Sequence, residues 1–257
     1  MYFKRLTLYL PPMNSFIRKI TIICLALIVG HSAIGQTQVS EAQMEADSLF
    51  DARKYTESFK LYEQMLIQER KSSPAMLLRM AFIKEGLGNV TDALYYLNLY
   101  YLHTADKRVL AKMDELAKKK GLEGYEFSDW EFIQTIFYKY FFHIVLTLLS
   151  IAFLLLATTG YLKYRKKQQP TFSAISMMFV LAVLFYTLNY GKNYSKSLVN
   201  SNNTYIMSGP SAGAEVVSII DKGHRVEVAE KKDVWVKIEW KGQPGFVKQS
   251  KLKPITF

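Results

Sequence analysis

The chain has 257 residues, half of them hydrophobic, and a formal charge of +11. That length accommodates roughly one large domain or two to three small ones. The charge does not indicate a nucleic-acid partner: residues 1–35 carry +4, 36–130 carry −2, 131–193 carry +5 and 194–257 carry +4, so most of the excess lies beside apolar runs, where cations set membrane orientation, and no segment has the basic face that nucleic-acid binding needs.

Residues 1–35 read as a secretory signal. Arg18 and Lys19 precede the apolar stretch Ile20 to Val29, too short to span a bilayer, and the small-x-small sequence Ala33-Ile34-Gly35 predicts cleavage after Gly35. Met13 is a candidate start, since MNSFIRK supplies a compact basic n-region. Cys24, the only cysteine, lies inside the apolar stretch and follows Ile23 rather than a small residue, which argues against lipoprotein processing. A mature chain beginning at Gln36 has no thiol, which excludes disulfides, thiol catalysis and cysteine metal sites together.

Residues 36–125 contain an internal repeat. Ala46 to Leu66 aligns with Met80 to Tyr101 when Ser58 is set against Ala93, a spacing of 35. In the second copy Ala81, Leu87, Gly88, Ala93, Leu97 and Tyr100 fall at the small and large positions by which two antiparallel helices interlock, and Gly88-Asn89 supplies a turn where positive φ is needed. The first copy keeps Tyr55, Ser58 and Tyr62 but has Arg53 in the turn. This pattern resembles the tetratricopeptide repeat, whose period is about 34 residues. Two repeats need a capping element, and DKRVLAKMDELAKKKG provides one, with Val109, Leu110, Met113, Leu116 and Ala117 on one face and Gly121 as its stop. The resemblance implies a partner-binding groove at Asp47, Phe50 and Asp51 in the first repeat and at Leu78, Phe82 and Glu85 in the second. Its acidic character implies a basic or amino-terminal partner segment.

Ser128-Asp129-Trp130-Glu131 has capping-box spacing, so residues 128–162 read as an interfacial helix continuing into a first transmembrane helix. Tyr140 to Leu162 is free of formal charge, and Thr171 to Tyr190 forms a second apolar run. Each is long enough to cross a hydrocarbon core of roughly 30 Å. Between them, residues 163–170 hold Lys163, Arg165, Lys166 and Lys167. A short basic loop stays in the cytoplasm, which predicts a bacterial inner-membrane protein with both terminal domains periplasmic.

Residues 191–257 change character. A polar linker, SKSLVNSNN, leads into four alternating segments, EVVSII, HRVEVAE, VWVKIEW and PGFVKQ, separated by turn residues. Ser208-Gly209-Pro210-Ser211, Gly223, Trp235-Val236-Lys237 and Gly245-Phe246-Val247 make the segment similar to a bacterial SH3-like barrel. Met207 stands where arginine is common in that family, and Phe246 where tryptophan is usual.

The expected fold class is thus a multidomain membrane protein: an all-α tetratricopeptide-like repeat domain, a transmembrane helical hairpin and an all-β SH3-like barrel. No histidine pair has metal-ligand spacing, no serine sits in a nucleophile context and no phosphate loop is present, so neither enzyme activity nor a cofactor is expected. The order of parts resembles the BatE-like proteins of Bacteroidetes aerotolerance operons, with MAFIKEGLGNVTDALYYLNLYY the most particular stretch. That resemblance implies a scaffold in an aerotolerance or envelope-stress complex, with von Willebrand factor A domain membrane proteins, other repeat proteins and a MoxR-type AAA+ ATPase as neighbours. A peptidoglycan-binding tether acting through the SH3-like domain is the second reading.

Overall fold

The computed structural model describes residues 41–191 and 194–256. The expected signal sequence, with Met13, Cys24 and the expected cleavage point at Gly35, lies outside the described residues. The described chain divides into two compact units, one of residues 41–139 and 194–256, the other of residues 140–191.

The first unit opens with five helices: α1 (Glu41–Asp51), α2 (Tyr55–Ile67), α3 (Pro74–Gly86), α4 (Val90–Thr104) and α5 (Arg108–Lys120). The α1–α2 and α3–α4 pairs repeat each other down to individual hydrogen bonds. After α1, the amides of Ala52, Arg53 and Lys54 donate to the carbonyls of Ser48, Phe50 and Leu49; after α3, Leu87, Gly88 and Asn89 donate to Ile83, Glu85 and Lys84. The pivot of each turn is left-handed, with φ of 62° at Arg53 and 72° at Gly88. Glycine adopts that backbone freely, whereas a side chain there costs energy. The small residues are at the crossings: Ala46, Ser58 and Ala93 are fully buried, Ala81 nearly so, and the Ser58 hydroxyl donates to the Ala46 carbonyl at 2.8 Å. Ser73 caps α3 and Asn89 caps α4, each side-chain oxygen accepting the amide three residues on. In α5, Val109, Met113, Leu116 and Ala117 are buried, and the helix stops at Gly121 with φ of 64°.

The C-terminal part is an antiparallel sheet of seven strands: β1 (Lys196–Val199), β2 (Thr204–Met207), β3 (Val216–Ile220), β4 (Arg225–Lys232), β5 (Trp235–Trp240), β6 (Gln243–Lys248) and β7 (Leu252–Pro254), in the order β3-β2-β6-β5-β4-β1-β7. Two expectations need correction. SKSLVNSNN is not a linker, because β1 lies inside it and pairs with both β4 and β7. The four expected strands are also too few, since β2 and β7 belong to the sheet as well. The reason is visible in β1: its alternation puts Val199 into the barrel core with Ile206, Val226 and Val247, while Leu198 joins the helical core beside Ile255. Each fully buried side chain of this kind contributes about 1.5–3 kcal/mol, and a strand of four residues in a polar setting becomes a centre of both cores.

The second unit contains most of α6 (Asp129–Tyr164) and all of α7 (Thr171–Tyr190), both long and apolar enough to cross a membrane. At 1.5 Å per residue α7 alone reaches about 30 Å. Phe142, Phe153, Phe172, Phe179 and Phe185 are exposed, so the helices present apolar surface all round. Several of their polar side chains bond within the hairpin itself. Thr147, Ser150, Ser176 and Asn189 bond the carbonyl four residues back, and Thr159 and Ser173 share a hydrogen bond of 2.8 Å between the two helices.

Candidate binding surfaces and the junction that positions them

Helices and barrel of the first unit meet at Arg225, the first residue of β4. Val226 points into the barrel core, so strand alternation turns Arg225 to the opposite face, against the helices. There Nη1 donates to Glu131 Oε1 at 2.6 Å and to Asn98 Oδ1 at 3.4 Å. Nη2 donates to Glu131 Oε2 at 3.2 Å and to the Glu126 carbonyl at 3.4 Å, and Nε donates to the Gly124 carbonyl. All five guanidinium N–H donors are engaged. The plane lies 4.3 Å from the centroid of the Phe127 ring, and the two charged side chains are 1% and 5% exposed. A buried pair of this kind is tolerable because the geometry is bidentate and the remaining donors are satisfied.

Further bonds tie the same surfaces. The Arg225 amide donates to the Glu123 carbonyl, and the Glu123 amide donates to His224 Nδ1, both at 3.0 Å. Tyr125 donates to the Gly223 carbonyl at 2.7 Å, and Tyr194 donates to Glu131 at 3.3 Å. Burial pushes both phenols upward, which keeps them neutral donors. Burial pushes His224 downward, favouring the neutral imidazole that accepts from Glu123. Gly124 has φ of 87°, and a Cβ there would overlap the Arg225 carbonyl, so only glycine permits this close approach. The expected capping box is half realised. Ser128 Oγ accepts from the Glu131 amide at 3.2 Å, but the Glu131 carboxylate turns to Arg225 rather than back to the cap, because a buried guanidinium binds a carboxylate more strongly than one backbone N–H does.

The expected groove residues of the repeats separate into two groups. Asp47, Phe50 and Asp51 gather around Arg79, and Phe82 joins them through Phe50. Its guanidinium is ion-paired with Asp47, 4.0 Å from Asp51 and 5.2 Å over the Phe50 ring. Phe50, Tyr55 and Phe82 form an edge-to-face trio with centroids 5.3 to 5.9 Å apart. Tyr62 also donates to Asp47, and its pKa is pushed up to about 12, first by burial and then by that carboxylate. Glu85 lies elsewhere, taking Lys112 of α5 at 2.7 Å, and Leu78 is exposed. The carboxylates of Asp47 and Glu85 are thus paired within the fold, and what is left at the surface is apolar at Leu78 and Phe82 and acidic at Asp51. Arg79, Lys112 and Arg225 escaped sequence reasoning, since each resembles any exposed cation. The aromatic run Tyr125-Glu126-Phe127 beside Gly124 was the available signal that something packs on that segment.

On the barrel, a cleft of about 380 Å³ is lined by Tyr205, Met207, Val216 and Trp235, with Lys248 and Lys251. Among the described residues no group of three or more His, Cys, Asp or Glu could hold a metal ion. No curated protein and no solved structure matches the chain. Residues 202–253, from the turn before β2 into β7, match the family described as the bacterial SH3 domain.

Proposed function

We propose that this protein is a non-enzymatic scaffold of a bacterial inner membrane that docks partner proteins through its helical repeats and its SH3-like barrel. In this reading α6 and α7 are the two spans, the 163–170 loop is cytoplasmic and both folded portions are periplasmic. The observation that carries it is the buried Arg225–Glu131 pair. The chain before α6 and the chain after α7 contribute to one folded unit, so the polypeptide must leave and return to the same side, which two crossings accomplish. The four cations of the intervening loop fit the cytoplasmic side. The duplicated turn and the small residues at the helix crossings support reading α1–α4 as tetratricopeptide-like repeats closed by α5. The setting taken from the BatE-like resemblance is an aerotolerance or envelope-stress complex with von Willebrand factor A domain proteins and other repeat proteins. The aromatic trio then gives the groove an apolar preference, with Asp51 as the exposed carboxylate beside it.

The test is crosslinked affinity purification from native membranes, comparing the intact protein with a variant carrying Leu78→Ala and Phe82→Ala, both exposed positions. Loss of one or two specific membrane partners supports docking through the repeats; an unchanged partner set removes the groove from the proposal. The barrel's match to the bacterial SH3 domain and its cleft with Trp235 and Tyr205 favour a second reading, a peptidoglycan tether. Cosedimentation of the protein with purified sacculi, lost on Tyr205→Ala, would support that reading.

A further inference from the structure

The two edges of the sheet differ. β7 is three residues long and contains Lys253 and Pro254, the features by which sheet edges avoid unintended pairing. β3, Val216–Ile220, has neither charge nor proline, its edge is interrupted only by a bulge at Val217, and it pairs only with β2 among the described residues. Val216, Val217 and Ile219 are exposed, and Tyr205 stands exposed directly across from Ile219. The register shift opposite Met207 leaves Val217 as an extra residue beside Val216, which sets two adjacent valines at the surface. Glu215 and Asp221 bracket the strand at its ends, and Asp221 accepts from the Asn203 amide. The cleft beside this edge has two ammonium groups, Lys248 and Lys251, no carboxylate in its lining and no ion pair to either lysine among the described residues.

We propose that the free edge of β3 is a docking strand for an extended acidic polypeptide segment, which continues the sheet and directs a carboxylate to Lys248 and Lys251. This rests on reading the barrel as a binding module and names what it binds. Beyond the bulge, from Ser218 to Ile220, the free edge offers N–H and C=O groups at the strand repeat of about 3.3 Å, an array that another extended backbone satisfies in register and a glycan or lipid does not. Main-chain pairing supplies affinity, and the Tyr205, Val216 and Trp235 wall with its cations supplies selectivity.

The experiment is selection of a random-peptide display library on the full chain in lipid nanodiscs. Enriched sequences should alternate β-branched residues with Asp or Glu. Their binding should fall at least about tenfold, equivalent to roughly 1.4 kcal/mol, in Val217→Glu, in the double variant Lys248→Glu with Lys251→Glu, and when the peptide backbone is N-methylated. Ile219→Glu serves as a second edge variant if Val217→Glu lowers the folded fraction. No enrichment, enrichment of basic peptides, or binding indifferent to the edge variants would overturn the proposal, as would displacement of the selected peptides by soluble cell-wall muropeptides. If the selection fails while Leu78→Ala with Phe82→Ala still loses partners, the edge-strand inference falls and the scaffold stands.

Discussion

Glu131 and Arg225, 94 residues apart in the chain, meet in a bidentate ion pair whose shorter arm is 2.6 Å. Between them in sequence lie all of α6 beyond its first turn and the whole of α7. The pair fastens the barrel to the helical repeats and to the start of α6 at one point. Arg225→Ala should destabilise the first unit by about 3–5 kcal/mol, because it leaves a buried carboxylate without its partner. Arg225→Ala and Glu131→Ala together should cost less than the sum of the two single changes. Denaturant titration of the full chain in detergent, run as a double-mutant cycle, measures the coupling; additive single effects would deny that the pair acts as a unit.

The duplicated turn makes a prediction of opposite sign. Arg53 holds φ of 62° where the second copy has glycine. Arg53→Gly should stabilise α1–α2 by up to about 1 kcal/mol, and Gly88→Ala should destabilise α3–α4 by a similar amount. Hydrogen exchange resolved by helix would read both changes, and a loss of protection in Arg53→Gly would be the wrong sign.

These turns also mark what was legible in the sequence. The repeat could be read because its geometry is local: small residues at the crossings and a turn residue at fixed spacing. α7 could be read because lipid-length apolarity is a property of one segment. The junction was not legible. Arg225 occupies an alternating strand position that ordinarily faces water, and its burial depends on Gly124, Phe127 and Glu131, brought there from about a hundred residues away. β1 was missed for the same reason, because Leu198 and Val199 are buried by two different cores and neither core is visible in SKSLVNSNN.

Acidification should loosen the junction through His224. Its folded pKa lies below the ordinary value of 6.5, chiefly through burial. Between the folded pKa and 6.5 the unfolded chain therefore binds more protons. Stability is then full above 6.5 and is lost as pH falls toward the folded pKa. Glu123 and Asp221 oppose the depression, and Lys241 adds to it. In His224→Gln, whose carbonyl can still accept from the Glu123 amide, this part of the acid sensitivity should disappear. Unfolding midpoints across the acid range for the two proteins measure the difference, and identical slopes would remove His224 as its source.

The most direct test is the sidedness of three exposed positions flanking the two apolar helices. With Cys24→Ser as background, single cysteines at Lys60 in α2, Lys166 in the basic loop and Lys231 in β4 are probed in intact spheroplasts with a membrane-impermeant maleimide. Labelling at 60 and 231 without permeabilisation, and at 166 only after it, is the expected result. Labelling of 60 and 231 from opposite sides would contradict a single folded unit built from the chain on both sides of the hairpin, and with it the proposed scaffold.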